Sequence, residues 1–100
     1  MGHILENIVY LELLRREYKV YVGKVYDLEV DFVAENRDDL KYYQVALTVR
    51  DEKVLERELK SLQKTRDHYP KYLITYDMDL ETDYDDITKI NIVDWLLKNM

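Results

Sequence analysis

Residues 28–49, LEVDFVAENRDDLKYYQVALTV, hold two runs of strand-forming residues joined by a short polar connection. Leu28 to Ala34 alternates, so Leu28, Val30 and Phe32 take one face while Glu29, Asp31 and Val33 take the other. Glu35 to Asp39 (ENRDD) reads as a hairpin loop. Leu40 to Val49 is the most apolar run of the chain, which places it at the centre of a sheet. Asp31 lies on the first of these strands and Gln44 on the second.

Upstream, Lys19 to Val25 (KVYVGKV) predicts a further strand and Tyr26–Asp27 a turn, so three successive strands can form an antiparallel meander. Residues 3–17 (HILENIVYLELLRRE) are strong helix formers, with Arg15 and Arg16 suited to the negative end of the helix dipole. On a helical wheel Ile4, Leu5, Ile8, Val9, Leu11, Leu13 and Leu14 wrap most of the way round. A surface helix has a distinct polar face, so this one is expected to be covered on two sides. One side is the sheet; the other is a missing domain or a second copy.

Downstream, Asp51 is a plausible N-cap for a helix from Glu52 to Asp67, with Leu55, Leu59 and Leu62 as its core stripe. Lys53, Arg57, Lys60 and Lys64 recur at i, i+4, i+7 and i+11 and make a basic stripe on another face. Such a stripe serves either as solvent-facing decoration with Glu56 and Glu58 nearby or as a track for nucleic-acid phosphates. Pro70 stops the helix and Lys71 to Tyr76 (KYLITY) reads as a fourth strand. Asp77 to Asp86 reads as an acidic loop, Ile90 to Val93 as a short edge strand, and Asp94 to Lys98 as a helical turn. The order α-β-β-β-α-β, then β-α, lets the middle helix cross over to a parallel strand. The expected fold is an α/β sandwich with a mixed four- to five-stranded sheet flanked by helices.

Composition narrows the class. One hundred residues suit one domain, and 47% hydrophobic content argues for a packed core. The absence of cysteine excludes disulfides and thiolate metal sites. No apolar run approaches the roughly 20 residues of a membrane span, and no secretory signal pattern is present, so a cytoplasmic protein is expected. The net charge is −6, and residues 72–100 carry seven acidic groups against two basic ones. Such a chain repels phosphate backbones, so a nucleic-acid partner would need a local basic patch. Ten tyrosines against two glycines and one proline suggest half-buried sheet faces or an interface, with loops built from Asp, Asn and Glu.

The stretches LENIVYLELLRR, KVYVGK, EVDFVA, YYQVA, LERELKSLQKTRDHYPKYLIT and INIVDWLL together resemble the DUF4143 family. That family is the C-terminal PD-(D/E)XK nuclease-like domain of predicted bacterial and archaeal AAA-type ATPases. The resemblance covers nearly the whole chain. It implies a restriction-endonuclease-like sandwich, and an ATPase and winged-helix portion as the missing partner. No phosphate-binding glycine loop occurs here, so ATP hydrolysis does not carry over.

In that fold a helical Glu, a strand Asp and a strand E-x-K surround one or two Mg²⁺ ions. By resemblance Glu6 and Asp31 are the first two ligands, Gln44 stands at the second strand carboxylate, and Ala46 stands at the lysine. Phosphodiester hydrolysis needs carboxylates to hold a hard cation, which then activates water. A glutamine oxygen can ligate but brings no charge, and alanine supplies no cation. The leading expectation is therefore a degenerate nuclease-like domain, acting as a non-catalytic binding or assembly module. The alternatives are a weak Mg²⁺- or Mn²⁺-dependent DNA nuclease using Glu6, Asp31 and Gln44, and a structural homodimer or larger homo-oligomer through the first helix. Without a metal, Asp31 is expected to accept hydrogen bonds from the first helix or Gln44, and Glu6 to pair with a lysine such as Lys24. His3 and His68 are singletons without ligand spacing. The run Asp77, Asp79, Glu81, Asp83, Asp85 and Asp86 lacks the glycine and bidentate glutamate of an EF-hand and reads as solvated.

Overall fold

Near-continuous burial along the central strands builds a sheet with two apolar faces. The computed structural model describes residues 2–22, 30–65 and 67–98. Strands β1 (Lys19–Val22), β2 (Phe32–Asn36) and β3 (Asp39–Ala46) form the antiparallel meander. Helix α2 (Glu52–Gln63) then carries the chain to β4 (Lys71–Thr75), which lies parallel to β3. Strands β5 (Thr82–Tyr84) and β6 (Ile87–Asn91) form a hairpin whose second strand runs parallel to β4. The order across the sheet is β1-β2-β3-β4-β6-β5. With α1 (Gly2–Arg15) and α3 (Ile92–Leu97), the protein is a mixed α/β fold with a six-stranded mixed sheet flanked by helices.

One layer joins α1 and α3 to the sheet through Leu5, Val9, Leu13, Phe32, Tyr43, Val45, Ile74 and Trp95. Val33, Tyr42, Ala46, Leu62 and Leu73 form the other layer, with Leu55 and Leu59 of α2 packed against it. Asp51 caps α2 as anticipated, its Oδ1 accepting from the Lys53 and Val54 amides at 2.8 and 3.4 Å. Arg16 ties α1 to α3 by donating to the carbonyls of Trp95 and Lys98, each at 3.0 Å. Its guanidinium also lies 4.6 Å from the centre of the Trp95 ring. Helix α1 is apolar on both sides. Leu5, Val9 and Leu13 are buried on the sheet, whereas Ile4 and Leu11 are 65% and 63% exposed.

Several expectations need correction. The sheet has six strands, not four or five, because the acidic run contains β5. Thr82 to Tyr84 pair with Ile87 to Lys89 across a two-residue turn at Asp85–Asp86. An edge strand has one partner only and tolerates charged side chains, which is why this one resembled a loop. β6 is internal rather than at the edge. β2 starts at Phe32, so Val30 leaves the alternation and packs with Val33 instead of Phe32. The connection read over 35–39 is tighter, with only Arg37 and Asp38 between the paired Asn36 and Asp39. α2 ends at Gln63. Lys24, Tyr26, Asp27, Leu28 and Glu29 lie outside the described residues, as does the side chain of His3. Among the described residues no helix is long and apolar enough to cross a membrane.

Candidate functional site

The end of β2 leaves β3 with unpaired backbone, and the polar residues gather there. β2 reaches only to Phe32, opposite Tyr43. Two residues further along β3, past the end of the β2 pairing, Asp31 supplies a partner for the Val45 amide. Its Oδ2 accepts from Val45 N–H at 2.8 Å. The Asp31 amide in turn donates to Gln44 Oε1 at 3.0 Å. Side chains thus replace the ladder where the strand stops.

Gln44 shares its sheet face with Tyr42 and Ala46, toward α2, and is only 7% exposed. Its Nε2 donates to Glu58 Oε2 of α2 at 2.8 Å. The orientation of the amide follows from its neighbours: a backbone N–H requires the oxygen, and a carboxylate requires the NH₂. Both ends of the amide are committed within the fold.

The environment of Asp31 disfavours its charge. Burial pushes its pKa up, the Val45 N–H opposes, and the negative charges of Glu6 and Glu58 raise it further, to about 6. Glu6 therefore acts on Asp31 electrostatically, but the two share no hydrogen bond among the described residues. Glu6 instead lines a separate cavity of about 250 Å³ with Asn7, Tyr10, Val22 and Phe32. Ala46 is buried in the same apolar cluster as Leu62, with no cation in the lysine position. Of the predicted set, Asp31 and Gln44 are hydrogen-bonded, while Glu6 reaches Asp31 through its charge alone. Among the described residues, no three His, Cys, Asp or Glu side chains are grouped to hold a metal ion.

Glu58 is the residue that sequence reasoning missed as part of this cluster. In the sequence it reads as a neighbour of the basic stripe, yet it lies three residues after Leu55 and four before Leu62. An acid inside an apolar stripe is the signal that could have found it. Because Glu58 turns toward Gln44, it does not screen the basic stripe. Lys53, Arg57, Lys60 and Lys64 are all exposed.

The acidic run also divides. Asp77 is 7% exposed and accepts from the Thr48 hydroxyl at 2.6 Å and the Val49 amide at 3.0 Å. Its backbone carbonyl accepts from Asn91 Nδ2 at 2.8 Å. Burial pushes the Asp77 carboxyl up, but the Thr48 and Val49 hydrogen bonds, with Arg50 and Lys89 nearby, outweigh it and hold the pKa below the ordinary range. This is a structural staple rather than a solvated loop residue. His68 is exposed.

An uncharacterised protein of Haemophilus influenzae (strain ATCC 51907 / DSM 11121 / KW20 / Rd) is 44% identical over 94 residues. The match covers 94% of this chain but 23% of that protein, so the chain spans about a quarter of its relative's length. No protein-family model matches the chain. No solved structure matches it either.

Proposed function

We propose that this chain is a degenerate PD-(D/E)XK nuclease-like domain that serves as a binding or assembly module of a larger, ATPase-associated protein. The α-β-β-β-α-β order supports this, with its antiparallel meander and parallel crossover. So does the meeting of Asp31 with the residue in the second-carboxylate position. The observation that carries the reading is the commitment of Gln44. Its oxygen already serves the Asp31 amide and its nitrogen serves Glu58. A Mg²⁺ ion favours charged oxygen donors in near-octahedral array, and the Gln44 oxygen brings no charge and already accepts from a backbone N–H. Ala46, buried in the cluster that faces α2, supplies no positive charge that would help activate water.

The test is cleavage of single- and double-stranded DNA in Mg²⁺ and in Mn²⁺, comparing the chain with Asp31→Ala. The expected result is no difference between the two. Metal-dependent cleavage that Asp31→Ala abolishes would overturn the reading and favour the nuclease alternative. One observation lies on the side of that alternative: Glu58 adds a second carboxylate close enough to raise the Asp31 pKa.

A further inference from the structure

Helix α2 keeps its leucines and Glu58 toward the sheet and turns a row of cations outward. At about 100° per residue, Lys53, Arg57, Lys60 and Lys64 fall within about 60° of its circumference, in a line about 16 Å long. Lys64 belongs to the line because this C-cap residue keeps helical dihedrals, φ −68° and ψ −14°. All four side chains are exposed, and among the described residues none of their charged groups makes an ion pair. Elsewhere the bases are engaged: Arg16 pairs with Glu12, Arg50 with Asp77, Lys71 with Asp67, Lys89 with Asp79 and Lys98 with Glu81. With 21 acids against 15 bases in the chain, the row is not left open for want of partners.

Four aligned, unpaired cations select an anionic occupant, and their spacing narrows its shape. The intervals of four, three and four residues are those of a helix seam, so acids repeating likewise on a second helix would each meet one base. Nucleic acid suits the ridge less well. α2 carries no aromatic residue on which an unpaired base could stack. A duplex lays phosphates on both sides of a ridge one helix wide. It would meet Glu52 and Glu56, exposed along one flank, and Asp85 and Asp86, which share a cavity with Gln63 at the end of α2. A second copy of this chain has no acidic helix to offer. α1 commits Glu12 to Arg15 and Arg16, and α3 holds Asp94 alone.

Resting on the binding-module reading, we infer that the Lys53–Arg57–Lys60–Lys64 ridge docks an acidic helix of another polypeptide. The probes are two synthetic helical peptides of about 18 residues, or five turns, of one composition. One carries its glutamates in a single seam at intervals of four and three; the other spreads them round the helix. Binding to the whole chain is read by fluorescence anisotropy and by amide NMR shifts. The seam peptide shifts residues 53–64 and binds at least about tenfold more tightly than the spread one, with the advantage falling as salt rises. Arg57→Glu weakens that binding at least about tenfold, whereas Arg37→Glu, the same charge change at an exposed base of the β2–β3 turn, leaves it nearly unaltered. Circular dichroism checks that both variants stay folded. Equal affinity for the two peptides, equal weakening by the two variants, no binding at all, or tighter binding of a DNA duplex of similar length through these bases would each overturn the inference. The cleavage assay is read separately. DNA cleavage with peptide docking intact removes only the non-catalytic reading, and absence of both removes only the docking inference.

Discussion

Asp31 holds its charge against its surroundings. Burial, then the charges of Glu6 and Glu58, lift its pKa from 3.8 to about 6, although the Val45 amide pulls the other way. The folded protein therefore binds this proton more tightly than the unfolded chain does. The resulting stabilisation is complete below pH 3.8 and is lost as pH rises through about 6. The gap corresponds to at most about 3 kcal/mol, which partial exposure to solvent reduces to about 1–2 kcal/mol. Asn at this position keeps an oxygen for the Val45 amide and removes the charge. Asp31→Asn is expected to raise the stability in urea by about 1–2 kcal/mol at pH 7.5, with the gain vanishing below the ordinary aspartate pKa. An equal gain at both pH values would show that charge is not the cause. A side chain kept at a cost to stability is typical of positions held for function. At this scale Asp31 and Gln44 are legible in the sequence through the EVDFVA and YYQVA stretches that carry the family resemblance. Glu58 is not, because its spacing to Leu55 and Leu62 puts it on the buried stripe while its charge makes it read first as a partner of the neighbouring lysines.

Helix α1 shows how far local signals reach. Its two-sided apolar pattern was plain in the order of residues, and the sheet covers one of those sides. Its ending was less visible. Tyr18 N–H donates to the Leu13 carbonyl at 3.1 Å and Glu17 N–H to the Leu14 carbonyl at 2.9 Å. This is a Schellman closure, with Tyr18 packed in the same cluster as Leu13. The closure requires a left-handed residue at position 17, and Glu17 adopts φ 68°. Glycine takes that conformation without the Cβ clash. Glu17→Gly is expected to gain about 0.5–1 kcal/mol, seen as a higher Tm. A lower Tm would mean that the glutamate side chain contributes more than its backbone costs. The β5–β6 hairpin escaped notice for a related reason. Its turn also uses a non-glycine left-handed residue, Asp85 at φ 54°, so the usual glycine signal is missing.

On the scale of the whole molecule, the parallel strands β3, β4 and β6 end side by side, and their exits must be held together by contacts far apart in sequence. Asp77 joins all three: its carboxylate takes the Thr48 hydroxyl and Val49 amide beyond β3, its own amide donates to Thr75 Oγ1 of β4 at 3.2 Å, and its carbonyl takes the Asn91 amide of β6. In the sequence Asp77 is the first of a run of acids, and nothing local separates it from those that are solvated. Its role depends on crossover connections that only the folded sheet supplies. Asp77→Ala would strand the buried Val49 amide, leave the Thr48 hydroxyl without its acceptor and remove one of the two partners of Arg50. The expected loss is about 3 kcal/mol, while Asp77→Asn, which keeps an acceptor, loses about 1–2 kcal/mol. Amide exchange should accelerate together at Val49 and along β6 in the alanine variant, because one staple serves both. If only Val49 is affected, the strand exits are held independently, and the Asp77 network does not organise the edge of the sheet on which Leu47 and Tyr76 are displayed.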